Sequence, residues 1–390
     1  MSRRFQIATE QEIREGRVAD VYFARALKAL TPEQANRRVT AEIRTRSLRG
    51  GAEWGILAGI EEAMGLLEGL DVQVWALPEG SVFYGGEPVL TIEGPYAAFG
   101  LHETALLGLL CQASGIATRA AQCRVAAGDR LLLSFGVRRM HPALSPMIDR
   151  ACYIGGCDGV STILAAELIG IAPSGTMPHA LVLLLGDTLE AAWAYHAGVH
   201  EDIPRVVLID TFQDEKFEVL RVAEAMRTTL AGVRFDTPGS RRGDLREIMA
   251  ETRWELNIRG YDWVKLYASG GINEESIRTL NDVCDGYGVG TALSNAPAVD
   301  FALDIVEIDG QPIAKRGKRS GAKLLVRCPK CGAREIVYRA HGPGMCPTCN
   351  VMRESLHRQF IKDGDIAAEL PCATEIRQHT LSEIAALTAD

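Results

Sequence analysis

Charge, hydroxyl groups and glycine recur at the ends of short apolar runs between Leu131 and Ser294, and such ends can assemble a reaction site. LLLS leads into FGVRRMHP (131–142), VVLI into DTFQD (206–214) and GVRF into DTPGSRRGD (232–244). VKLY leads into ASGGI (264–272) and GYGV into GTALSN (286–295). Asp210 and Asp236 close two of these runs, and Arg234 lies two residues before Asp236, on the same strand face. Carboxylates so placed can hold ribose hydroxyls or bridge to Mg²⁺ through water. Phe135, Arg138 and Arg139 leave another run together; guanidinium groups pair with carboxylate or phosphate, and an aromatic ring can stack on a flat base. Gly270-Gly271 and Gly290-Thr291 let backbone N–H groups approach an anion just ahead of a helix. Ser240, Arg241 and Arg242 extend the anion-binding set. The substrate expected is anionic and phosphorylated.

His179 stands in PSGTMPHALVLLLG, where a Gly/Pro-bounded turn enters a strong apolar segment. That setting reads as the mouth of a further strand, with 180–186 a buried strand or helix segment. Cys328, Cys331, Cys346 and Cys349 form two CxxC turns, CPKC and CPTC. Each turn offers two thiolates, and the two together complete a tetrahedral site that leaves no open position for catalysis, so structural Zn²⁺ is expected. Gly332 and Asn350 follow the turns directly, and both residue types tolerate the left-handed backbone that a metal knuckle needs.

Apolar runs alternating with helical stretches such as 214–231 and 274–283 indicate parallel βαβ units. In a (β/α) barrel the loops after the strands open on one face, which is where the polar ends would gather. The barrel is expected over 113–295. Before it, 5–30 and 53–69 read as helices, with short β runs VTAEIRTRS, DVQVWAL and EPVLTIEGPY around the second. This gives an N-terminal α+β module over 1–112, completed by 296–322. A long helix over 101–127 enters the barrel, and 323–390 holds the cysteines, a short strand and a terminal helix.

With 390 residues, 47% hydrophobic and 24% charged, two or three globular domains are expected. A net charge of −8 speaks against bulk binding to nucleic acid or an acidic membrane. No apolar run approaches the ~20 residues needed to span a bilayer. The N-terminus has no apolar segment of the secretory type, and the ten cysteines suit a reducing cytoplasm. The basic stretch Lys315, Arg316, Lys318, Arg319, Lys323 and Arg327 reads as a solvated linker.

The motifs DVYF (20–23), FGVRRMHP, IGGCDGVSTILAAELIGI (154–171), GTMPHALV (175–182), LIDTF (208–212), VRFDTPGSRRGD, SGGI and GYGVGTAL resemble those of nicotinate phosphoribosyltransferases of the shorter type with a zinc-knuckle tail. The resemblance spans nearly the whole chain. It implies a phosphoribosyltransferase of the second fold type: an irregular (β/α) barrel, an N-terminal α+β sandwich module and a small C-terminal zinc-knuckle domain. It implies a reaction of nicotinate with phosphoribosyl pyrophosphate (PRPP), giving nicotinate mononucleotide and pyrophosphate in NAD biosynthesis, coupled to ATP through a phosphohistidine at His179. It further implies a homodimer with sites shared across the interface, in which Tyr22 of one copy faces Phe135 of the other across the base. Arg138, with Arg139 beside it, would hold base carboxylate or phosphates, and Asp158 would face the base. Arg234, Asp236 and Asp210 would surround ribose and Mg-pyrophosphate. Gly270, Gly271, Gly290 and Thr291 would cradle the 5′-phosphate. One departure touches the ATP step: Ala180 stands where many relatives carry a hydroxyl or acidic residue. The competing readings are a nicotinamide or quinolinate phosphoribosyltransferase, and a non-catalytic phosphate-binding barrel whose zinc ribbon binds RNA.

Overall fold

A computed structural model describes residues 4–240 and 243–388. The chain divides into two compact units, Arg119–Ala296 on one hand and Met1–Thr118 with Pro297–Asp390 on the other.

The 119–296 unit is built on six strands: β1 (Leu131–Ser134), β2 (Gly159–Val160), β3 (Val206–Leu208), β4 (Gly232–Phe235), β5 (Lys265–Ala268) and β6 (Gly286–Val289). All neighbours pair in parallel, in the order β2-β1-β6-β5-β4-β3. The last strand therefore lies beside the first, as barrel closure requires, and the sheet stays open between β2 and β3. Leu132, Val207, Val233, Leu266, Tyr287 and Val289 are buried, because a parallel sheet with helices on its outer face hides both strand faces. The helices are α1 (Glu103–Ala127), whose C-terminal part belongs here, α2 (Ser145–Ile154), α3 (Ile163–Ile169), α4 (His179–Leu185), α5 (Thr188–Gly198), α6 (Glu215–Met226), α7 (Leu245–Ile258), α8 (Glu274–Leu280) and α9 (Thr291–Ser294). This is the irregular barrel expected.

Two details of that expectation change. β2 has only two residues, too short to leave an alternating pattern, and the sequence reading passed over it. Segment 180–186, read as a buried strand or helix segment, is the helix, the capped α4, but it is mostly not buried. Pro178 precedes the helix and Gly186, at φ +79°, ends it. Only Val182 of its apolar residues is buried, whereas Leu183, Leu184 and Leu185 are exposed. At the open side an extended stretch takes part of the missing strand's place: the Ser174 N–H donates to the Val160 carbonyl (2.7 Å), and Met177 O accepts from Arg234 (3.4 Å).

In the other unit a seven-stranded antiparallel sheet centres on Arg38–Arg44, flanked by Ala302–Ile308 and Pro88–Pro95, with Gln73–Ala76 and Arg358–Lys362 beyond. Its core takes Ile43, Val74, Leu90 and Ile92 from the sheet, and Ile60, Met64 and Leu67 from the helix Ile60–Leu67. The helix read over 5–30 is two, Glu10–Arg14 and Val21–Ala29, because Gly16 turns the chain at φ +69° against Leu101. The helix read from 53 starts only at Ile60. Residues Trp54–Ile56 pair as a strand with Val82–Tyr84, and Gly59 at φ +91° packs so close that a Cβ would lie 2.4 Å from the Leu109 carbonyl oxygen. Lys323, read as part of a solvated linker, is buried against Glu42 at 3.0 Å. Desolvation raises the Glu42 carboxyl above its ordinary range, and Lys323 pulls it back.

The four cysteine sulfurs lie within 4.8 Å of one another. Cys331 Sγ and Cys346 Sγ are 3.8 Å apart, the edge of a tetrahedron with metal–sulfur bonds of about 2.3 Å. Both knuckles have the same backbone: Gly332 N–H donates to Cys328 O and Asn350 N–H to Cys346 O, with φ at +72° and +49°. The residues fit a tetrahedral metal ion. Among the described residues, no helix is long and apolar enough to cross a membrane.

Candidate active site

Because all six strands run in parallel, their C-terminal ends share one rim, and a cleft of about 580 Å³ opens there. It is lined by Phe135, Arg138 and Arg139 after β1, Ser161 after β2, and Thr176 to His179 at the open side of the sheet. Arg234 and Asp236 come from β4, Ser269 to Gly271 from the end of β5, and Gly288, Gly290 and Thr291 from β6.

Phe135 is seated by its neighbours in β6. Its N–H donates to Val289 O at 2.8 Å, and a Cβ on Gly288 would fall 2.4 Å from its ring carbons. The Arg234 guanidinium lies 5.9 Å from the ring centroid. Arg138 and Arg139, in the turn Val137–Arg139, are exposed and have no ion-pair partner among the described residues. Two unneutralised cations beside an aromatic ring suit a flat anionic ligand.

Opposite charge gathers at the ends of β3 and β4. His179 Nε2 lies 3.3 Å from Asp210 Oδ1, and its Nδ1 lies 3.9 Å from Asp236 Oδ2. The Asp210 side chain is 2% exposed, and Oδ1 is buried without a completed hydrogen bond. Burial pushes its carboxyl above the ordinary range and Asp236 adds to that, while His179 opposes it. Asp236 Oδ1 accepts from Ser269 Oγ at 2.6 Å. Burial lowers the Arg234 guanidinium, against the pull of Asp236 and Asp210. Gly270 and Gly271 adopt φ +77° and +79°, and a Cβ on Gly270 would press on Asp236 at 3.0 Å, so the loop needs glycine there.

Other expected residues are placed as follows. Asp158 precedes β2, so it sits at the opposite rim, where Oδ2 accepts from the Leu132 N–H (2.8 Å) and pairs with Arg124. It braces the strand starts and does not face the cleft. Ser240 is exposed and outside the lining, and Arg241 and Arg242 lie outside the described residues. Tyr22 is 59% exposed on its helix in the other unit, its ring against Phe23. Sequence reasoning gave no role to Ser161 and Thr176, which line the cleft, and placed Ser269 only within the glycine loop 269–272.

A family model described as the N-terminal domain of quinolinate phosphoribosyl transferase matches residues 20–114, and the C-terminal domain of the same enzyme matches 116–304. The crystal structure of a nicotinate-nucleotide pyrophosphorylase from Pyrococcus furiosus is 50% identical, covers 98% of both chains and superposes with a TM-score of 0.96. The chain belongs to the quinolinate phosphoribosyl transferase family. A nicotinate phosphoribosyltransferase of Mycobacterium tuberculosis is 29% identical over 93% of this chain and 88% of its own. Human nicotinic acid phosphoribosyltransferase shares the fold at 22% identity and a TM-score of 0.74, covering 94% of this chain and 93% of its own.

The family matches and the 50% identical structure correct the expected reaction. The branch is that of quinolinate phosphoribosyl transferase, and nicotinate as the base is overturned. ATP coupling through a phosphohistidine at His179 rested on the nicotinate branch alone and falls with it. The physical reason for the error lies in the motifs themselves: the strand ends they mark suit a sugar phosphate and a pyrophosphate, which are common to every such transferase. The residues among them that could meet the base, Phe135, Arg138 and Arg139, suit any flat pyridine carboxylate and do not tell one acid from another.

Proposed function

We propose that the cleft transfers the phosphoribosyl group of PRPP to the ring nitrogen of quinolinate, without ATP. Pyrophosphate leaves, the carboxylate beside the ring nitrogen departs as CO₂, and nicotinate mononucleotide remains. The observation that carries this reading is the pairing of unneutralised Arg138 and Arg139 with the ring of Phe135, in one cleft with His179 and Asp236, while Asp210 is buried against His179 and outside the lining.

The base stacks on Phe135, with its carboxylates toward Arg138 and Arg139. Asp210 and Asp236 take the ribose hydroxyls and the Mg²⁺ that accompanies pyrophosphate, with Arg234 and His179 supplying positive charge beside them. The loops at Gly270-Gly271 and Gly290-Thr291 receive the 5′-phosphate. Displacement at the anomeric carbon builds cationic character on the ribose while the leaving group gathers negative charge, so positioning and electrostatics supply the rate. Once the ring nitrogen is ribosylated it is cationic and stabilises the electron pair that stays on the adjacent ring carbon when its bond to the carboxylate breaks and CO₂ leaves. That carbon then takes a proton. Release of CO₂ makes the transfer irreversible, and this removes any need for ATP.

The finer parts of the reading have separate supports. Zn²⁺ at the cysteine set follows from four thiolates in tetrahedral spacing. A homodimer is supported by large exposed apolar residues on two helices, Ile163, Leu164 and Leu168 on α3 and Leu183, Leu184 and Leu185 on α4. Tyr22 is available to a second copy for stacking on the base. A cytoplasmic location goes with ten cysteines of which none is disulfide-bonded.

The test is protein with PRPP, Mg²⁺ and either quinolinate or nicotinate, with and without ATP. CO₂ and pyrophosphate released in equal amounts from quinolinate, with no effect of ATP, are expected. Pyrophosphate release from nicotinate alone, or a rate that rises with ATP, would overturn the assignment.

A further inference from the structure

Asp149 is a buried carboxylate outside the cleft, yet it ties together the two strand ends that form one wall of it. It lies on the inner face of α2 and is fully inaccessible. Oδ1 accepts from Ser134 Oγ at 2.8 Å. Oδ2 accepts from Thr162 Oγ1 at 2.6 Å and from the Thr162 N–H at 3.1 Å. No cation pairs with it among the described residues.

Ser134 is the last residue of β1 and Thr162 stands two residues past β2. Their inward-facing neighbours, Phe135 and Ser161, line the cleft. The ladder between β1 and β2 has only two rungs, Leu133 with Gly159 and Ser134 with Val160. β2 is also the edge of the open sheet; among the described residues no strand lies on its other side, where only the Ser174 N–H donates to Val160 O at 2.7 Å. Backbone pairing alone thus holds this wall weakly.

Thr162 occupies the cap position of α3, where a hydroxyl ordinarily accepts from the helix N–H groups. Here it makes no such cap bond and donates to Asp149 instead. The sequence therefore gives up a helix cap to hold the strand end. Burial raises the Asp149 carboxyl above its ordinary range, opposed first by the bonds from Thr162 and Ser134.

We infer that Asp149 is a positioning residue for the base platform. By joining Ser134 to Thr162 it sets the distance between Phe135 and Ser161, and hence the seat of the pyridine ring. The inference rests on the reading that the base stacks on Phe135.

The bonding pattern predicts which substitutions matter. In Asp149→Asn the amide oxygen can keep both Thr162 bonds, and the amide nitrogen can donate to Ser134 Oγ, which then accepts. Asp149→Ala removes all three bonds. A loss of seating of this kind costs about 10- to 100-fold.

The experiment compares wild-type protein, Asp149→Asn, Asp149→Ala and Thr162→Val, measuring KM for the pyridine base and for PRPP separately. Amide hydrogen exchange over 131–139 and 159–165 is followed in parallel. Asp149→Ala is expected to raise the base KM about 10-fold or more with PRPP KM within about twofold, and to lose protection in both segments. Asp149→Asn should restore both readouts to within about threefold, and Thr162→Val should show the same split in smaller measure. Equal rises for both substrates, an Asp149→Asn as impaired as Asp149→Ala, or unchanged exchange would overturn the inference. Should Asp149→Ala not fold, Thr162→Val and Asp149→Asn decide the matter alone. A wild-type protein inactive on any pyridine base would refute the function instead, and the exchange pattern would still test the tie.

Discussion

Gly288→Ala puts the base platform under a defined load. A Cβ at this position would lie 2.4 Å from Cδ2 and Cε2 of Phe135 and 3.3 Å from Ser269 Cβ. Carbon atoms in comfortable contact sit about 3.5–4.0 Å apart, so the ring must retreat by about 1 Å, while Ser269 need yield only a few tenths. Overpacking a strand interior in this way costs about 1–3 kcal/mol of stability. For a unit of this size that lowers the unfolding midpoint by a few degrees. The kinetic effect should be larger and selective. A misplacement of about 1 Å at a reacting group can cost about 100-fold, and it falls first on the base, because the atoms the new Cβ meets most closely are those of the Phe135 ring, while a Cβ on Gly290 itself would meet only the Phe135 backbone, at 3.5 Å. Initial rates of pyrophosphate release, with each substrate varied in turn, should show the base KM rising by one to two orders of magnitude and PRPP KM little changed. A variant with wild-type KM for the base would refute the placement of the ring on Phe135.

Asp210→Asn tests the electrostatics of the acidic set. Burial raises the Asp210 carboxyl in the folded chain, so the folded state binds its proton more tightly than the unfolded state does, and stability is lost as pH rises through the folded value. The amide should therefore abolish transfer yet raise the unfolding midpoint at neutral pH and flatten its decline above about pH 4. A variant less stable than wild type at neutral pH would contradict this account. For the cysteine set, metal analysis should find one Zn²⁺ per chain, and stripping it with a chelator should lower the unfolding midpoint. Transferase rates measured well below that midpoint should persist, and a rate that vanished while the fold stayed intact would refute a purely structural metal.

How much was legible depended on how local each signal is. The strands β1, β3, β4, β5 and β6 were readable because a strand buried on both faces must be a short continuous apolar run, and each ends in residues that apolar surroundings would not tolerate. β2 was not readable, since Gly159 and Val160 acquire their role only by lying beside β1. Asp158 was misplaced for a related reason. It neighbours a real strand, but whether a residue meets the cleft rim or the opposite rim depends on where pairing begins, and Asp158 comes just before it. Leu183 to Leu185 look like core in any hydropathy reading, yet they lie exposed on α4.

From the chain alone came the parallel barrel, the polar strand ends and the four thiolate ligands, because periodicity, turn residues and CxxC spacing act over a few residues. Only tertiary structure decided which side chains share the cleft, that the sheet stays open between β2 and β3, and that Asp149 ties its wall. Those facts depend on contacts between residues far apart in sequence, and no local pattern encodes the angle at which a sheet curls or the rung at which pairing starts.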